Sequence, residues 1–170
     1  MFNDTIESSM ISNNIIGPKK VNPMSPTFLA QNVIEIAANA ETKRRALREK
    51  HNIDAHQPLE SPEYLRETRH LADPLVEYLN QFELTELKKL HMMAMLGAQP
   101  DRLQEGSRSL KDVFQDLELT PPGTPPHRGD KKSYIAFFKS DISRLPAFLT
   151  DSFNICRKYA IDPDKELAEI

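Results

Sequence analysis

The chain has 170 residues, 39% of them hydrophobic and 28% charged, and its 22 Lys and Arg against 25 Asp and Glu leave a formal net charge of −3. That length suits one hydrophobic core, and the charge balance excludes the chain-wide positive field that gathers nucleic acid or anionic lipid, leaving any such contact to a local patch. A single cysteine, Cys156, excludes an internal disulfide and points to a cytoplasmic protein; no window approaches the roughly 18 apolar residues of a membrane span, and the first residues carry no signal-peptide pattern.

Residues 1–24 read as a flexible tail, because Asn13-Asn14, Gly17-Pro18 and Asn22-Pro23 are turn and breaker pairs without a steady apolar period. Met10, Ile11, Ile15 and Ile16 give the competing reading, a short segment anchored on the domain or on a partner. The remainder, 25–170, is expected to form one all-α domain, a compact bundle of six to seven short and medium helices.

Ser25-Pro26 predicts the start of the first helix, since a serine oxygen accepts from a free first-turn amide and proline at the first position loses no hydrogen bond. From there to about Lys50, Phe28, Leu29, Val33, Ile36, Ala37 and Ala40 recur at helical steps and define a face to be buried. Ser61-Pro62 and Asp73-Pro74 predict two short helices, the first burying Tyr64, Leu65 and Leu71, the second Leu75, Val76, Tyr78 and Leu79. Thr85 is expected to open a helix through Leu87, Leu90, Met93 and Ala94, with Gly97 as its left-handed terminator.

Ser109, with Asp112 three residues on, resembles a capping box for a helix whose face is Leu110, Val113, Phe114 and Leu117. The Pro-rich stretch over 119–131 cannot continue a helix and reads as a stiff exposed loop. Helical spacing resumes with Tyr134, Ile135, Phe138 and Ile142 and runs to Ala160, with a kink or break at Pro146. Asp162-Pro163 caps a last turn. No stretch alternates as a strand would.

Chemistry-bearing patterns are sparse. His51, His56, His70, His91 and His127 include no pair at the spacing that puts two metal ligands on one helical face, although His51 and His56 with Glu60 could meet across a loop. Cys156 lies on an apolar stripe, where burial makes a thiol inert. The late acids Asp141, Asp151, Asp162 and Glu166 do not form the paired acidic helices that hold magnesium in all-α nucleotide pyrophosphohydrolases. Nucleophile-elbow, phosphate-loop, dinucleotide and C-x-x-C motifs are missing, so no catalytic residue, metal or cofactor is assigned.

Three features remain as candidate contacts. Lys43, Arg44, Arg45, Arg48 and Lys50, interleaved only with Glu41 and Glu49, form a basic helix end that either stays solvated, complementing the helix dipole, or faces phosphates. Pro122 to Pro125 satisfies P-x-x-P, read first as a connector and second as a polyproline ligand. In His91-Met92-Met93-Ala94-Met95-Leu96, neighbouring methionines point different ways around a helix, which makes Met92 and Met95 adaptable contact candidates.

The segment Glu86-Leu87-Lys88-Lys89-Leu90-His91-Met92-Met93-Ala94-Met95-Leu96-Gly97-Ala98-Gln99-Pro100-Asp101 resembles the signature helix of a bacterial domain family of unknown function, E-L-x-x-L, a Met-rich turn, then L-G-x-x-x-D. Leu145-Pro146-Ala147-Phe148-Leu149 is similar to the turn near that family's end, so the resemblance spans about Asp73 to Phe153. It departs after the leucine-glycine pair, where Ala98, Gln99 and Pro100 replace the family's arginine and glycine. The resemblance implies a helical bacterial protein and no mechanism.

The leading expectation is therefore a non-catalytic helical interaction or adaptor protein with a protein partner or a second copy of itself, and no membrane. A nucleic-acid-associated regulator using the basic helix end is the alternative. An enzyme whose site assembles only in three dimensions is the other.

Overall fold

The structure, a computed structural model, describes residues 24–53, 61–103 and 110–169. The expected tail, the Ser109 cap and the His56 and Glu60 half of the loop metal reading lie outside the described residues, Met24 at the tail's end excepted. Within them all regular structure is helical: α1 Pro26–Lys50, α2 Pro62–Thr68, α3 Asp73–Leu79, α4 Leu84–Ala98, α5 Leu110–Glu118, α6 Lys131–Ser140, α7 Leu145–Lys158 and the single turn α8 Pro163–Glu166, with 3-10 turns at Pro100–Leu103 and Leu167–Glu169. None of these helices is long and apolar enough to cross a membrane.

Helix starts follow their caps. Ser25 Oγ accepts from Phe28 N at 3.2 Å, Ser61 Oγ from Tyr64 N at 3.4 Å and Asp130 Oδ1 from Ser133 N at 2.8 Å, each supplying an acceptor to a first-turn amide that has none in its helix. Pro146 stands in the first turn of α7, so the expected interruption is a full break: α6 ends at Ser140 and a turn leads into α7. Asp73 departs from its expected role. It is already helical, Ala72 is the cap, and its carboxylate instead lies 2.7 Å from His70 Nδ1.

Helix α4 forms the axis of the core. Leu87, Leu90, Met92, Met93, Ala94, Leu96 and Gly97 are buried on several sides of it, as expected for a helix with neighbours all round. The other walls are Leu29, Val33, Ala37 and Ala40 of α1, Val113, Phe114 and Leu117 of α5, Tyr134 and Phe138 of α6, and Leu145, Leu149 and Cys156 of α7. Helices α4 and α7 meet backbone to backbone at Gly97. A Cβ there would lie 1.7 Å from the Phe148 carbonyl oxygen and 2.9 Å from Ser152 N. Gly97 therefore sits inside α4 as the residue small enough for two backbones to touch, and Gln99, not a left-handed glycine, is the C-cap.

Helix α4 also starts one residue before Thr85, with Glu83 as its cap. The Glu86 carboxylate accepts from Glu83 N at 2.9 Å and from Met24 N at 3.1 Å, so one side chain caps the start of α4 and fixes the segment leading into α1. Asp164 of α8 completes that attachment by accepting from Ser25 Oγ at 2.9 Å and Thr27 N at 2.8 Å. Two expected core residues are exposed. Phe28 (51%) precedes the Leu29-Val33-Ala37-Ala40 stripe by one position and so points off it, and Leu65 (53%) lies beside Tyr64, which alone fills the contact of the two-turn α2.

Candidate functional site

The Pro-rich segment is a loop folded on itself. Gly129 N donates to Pro122 O at 3.0 Å, His127 N to Thr124 O at 2.9 Å and Arg128 Nε to Pro121 O at 3.2 Å. Gly123 (φ +101°) and Gly129 (φ +79°) occupy the left-handed region that side chains avoid. A polyproline helix keeps φ near −75° throughout, so the Pro122 to Pro125 match does not present one.

This loop docks on the start of α6. A Cβ on Gly123 would lie 2.5 Å from Ser133 Oγ, which marks how closely the turn seats against the helix. The Ser133 hydroxyl lies between the His127 carbonyl, in a short contact, and Asp130 Oδ1 at 2.8 Å. His127 Nδ1 stands 3.3 Å from the other oxygen of Asp130. Hydrogen bonds from the Ser133 backbone N–H, then from the Ser133 hydroxyl, hold the Asp130 carboxyl below its ordinary range, with His127 adding to the effect.

Between loop and helix runs an open groove of about 600 Å³. Pro122, Gly123, Thr124 and His127 form one wall; Lys132, Ser133, Ala136, Phe137 and Ser140 form the other, at the helical steps that place them on one face of α6. The floor is apolar and firm. Phe137 packs edge-on against His91 of α4 with ring centroids 4.7 Å apart, and against Phe138 at 5.3 Å. His91, also edge-on to Tyr134 at 5.2 Å, is only 4% exposed, and burial pushes its pKa down to about 4. It is neutral at ordinary pH and serves as the support behind the groove.

One cation, Lys132, lines the groove, and Lys139, seven positions on, shares its side of α6 at the groove's edge; over residues 120–140 the cations Arg128, Lys131, Lys132 and Lys139 outnumber the single acid Asp130. Lys131 spends its ammonium on the neutral Asn80 carbonyl at 2.8 Å and keeps its charge. Lys132 and Lys139 are exposed and have no counter-ion among the described residues.

The basic end of α1 is arranged differently. Arg44 pairs with Glu41 at 3.3 Å and Lys50 with Glu67 of α2 at 2.9 Å, where the Lys50 hydrogen bond is the main cause of a lowered Glu67 pKa. Arg48 is half-buried, with its Nε shielded and without a partner among the described residues. Lys43 and Arg45 are exposed; Lys43 borders a crevice of about 180 Å³ walled by Ile36, Ala40, Leu71 and Pro74.

Of the methionines, Met92 belongs to the core and has no free surface, while Met95 is half-buried against it. Cys156 is buried, and burial pushes its thiol up to about 11. His51 Nε2 stands 3.3 Å from Glu67. Among the described residues, no three His, Cys, Asp or Glu side chains gather as a metal site would require.

The groove is not evident from the sequence, where the prolines that form one of its walls read as a connector or a polyproline ligand. Its signal was there in Lys131-Lys132 and Lys139 flanking Ala136, a small residue amid aromatic ones. No protein-family model, curated protein or solved structure matches the chain, so the family resemblance rests on its motif, which here forms α4 and the turn after it.

Proposed function

We propose that this chain is a non-catalytic protein-interaction domain, working in the cytoplasm, and that the groove between the Pro-rich loop and α6 is its binding surface. The observation that carries this reading is an open apolar trough between two braced walls, the form in which a fold offers a site for a partner's side chains. The polar groups beside it support a binding role over a chemical one. The Ser133 hydroxyl is aimed at a carbonyl and at a carboxylate too acidic to act as a good base, and the His127 imidazole faces Asp130 rather than that hydroxyl.

Ala136 is exposed on the groove wall, so Ala136→Arg fills the trough while leaving the core intact. Affinity capture with the full chain is expected to retain a partner with the native protein and lose it with this variant, with matching thermal melts. Equal retention by both would reject the groove as the surface.

The nucleic-acid reading of the α1 end draws on Lys43 and Arg45, the cations there that are exposed and free of an ion pair among the described residues. Its support is thinner because Arg44 and Lys50 are already engaged with acids. Binding that weakens steeply with salt and falls on Lys43→Glu with Arg45→Glu would favour it.

A further inference from the structure

The proposed binding surface carries information about its occupant. Lys132 and Lys139 are seven positions apart on α6, two turns or about 10 Å along one face, with Ala136 between them. Both ammonium groups are exposed and lack a counter-ion among the described residues, and the one acid in this stretch, Asp130, is committed to capping α6 and to His127. The face thus reads cation, apolar gap, cation, beside an apolar floor at Phe137.

We propose that the groove takes an acidic amphipathic helix from a partner protein, with apolar side chains seated over Ala136 and Phe137 and carboxylates at both ends meeting Lys132 and Lys139. This rests on the reading of the groove as the binding surface. Charge complementarity selects the partner: an acidic helix repeats the spacing of α6, with acids two turns apart and apolar residues between them. Its own charge is matched by the rim, whereas a basic segment would be repelled. The small Ala136 side chain allows close approach of the partner helix at the centre of the contact. Being exposed, the lysine pairs set specificity and association rate, and the apolar seat holds the bound state.

The test is a titration of the isotope-labelled full chain, followed by amide chemical shifts, with three short synthetic helical peptides. One carries Leu at the central positions and Glu two turns apart around them; the second has Gln for Glu, and the third Lys. The acidic peptide is expected to move the amides of Lys132, Ala136 and Phe137, to bind about tenfold more tightly than the Gln peptide at low salt, and to lose that advantage as salt rises. Lys132→Glu with Lys139→Glu should reverse the preference toward the Lys peptide, with an unchanged melt as the folding control.

If the Gln peptide binds in the groove as tightly as the acidic one, the inferred partner chemistry falls while the groove remains the binding surface. If no peptide moves groove amides even at millimolar concentration, both fall. A single-stranded oligonucleotide shifting these amides where the acidic peptide does not would also overturn the inference.

Discussion

Protonation of His91 should loosen this protein between pH 6.5 and 4. The imidazole is buried between Tyr134 and Phe137, and burial alone brings its pKa from 6.5 to about 4 in the folded chain. As pH falls below 6.5 the unfolded chain takes up the proton first, so the stabilisation is complete above that value and is lost as pH falls toward the folded pKa. The linkage relation gives a loss of roughly 1 kcal/mol near pH 5.5 and roughly 2 kcal/mol or more near pH 4.5, relative to neutral pH. Glu67 and Asp130, whose pKa values are lowered, lose their contributions toward the acid end of this range, equally in the native protein and the variant, so that they cancel from the difference between the two.

The perturbation is His91→Met, a flexible apolar side chain that still contacts aromatic rings and cannot be protonated. Urea unfolding followed by helical circular dichroism, at steps from pH 7 to pH 4.5, supplies the stability of each protein. The difference between native and variant isolates His91 from the more exposed histidines. It should follow the calculated curve. A difference that stays flat across the window would refute the assignment of His91 as a neutral core residue.

Gly97→Ala should destabilise the fold by roughly 2 to 4 kcal/mol, because the new Cβ meets backbone atoms of α7 that can yield only by moving the helix, and a depressed thermal midpoint would register it. Ser152→Ala should leave stability unchanged or raise it by about 1 kcal/mol in urea unfolding, since the buried hydroxyl has no hydrogen-bond partner among the described residues. Asp164→Ala removes the acceptor for Ser25 Oγ and Thr27 N; a loss of about 1 kcal/mol is expected, together with faster hydrogen exchange at the Thr27 amide.

Much of the helical framework was legible from local chemistry. The Ser-Pro pairs at 25 and 61 and Asp162-Pro163 start helices, and Pro146 separates α6 from α7, because a cap and a missing amide act within one turn and need no distant partner. Residues set by long-range packing were not. Gly97 reads as a terminator from its neighbours, and only the arrival of α7 makes it a contact. Phe28 and Leu65 match helical periodicity, yet which apolar residue is covered depends on which helix lies against it.

The candidate surface was hidden for the same reason. The prolines of 121–126 suggested an extended ligand, but Gly123, Gly129 and the closing hydrogen bonds fold that segment into a wall. The basic end of α1 was the densest charge in the sequence, and the acids that occupy part of it include Glu67 from a different helix. In the sequence Lys132 and Lys139 are two ordinary surface lysines, and they acquire meaning only beside the trough that the loop and α6 enclose.

Site-specific photo-crosslinking in cells tests the central claim most directly, with the photoreactive residue placed at Ala136 in one protein and at Arg45 in another. A covalent adduct with a partner protein from position 136, mapped to an acidic and apolar segment and missing from position 45, is the predicted result. Adducts from position 45 with none from position 136 would contradict it and move the working surface to the end of α1.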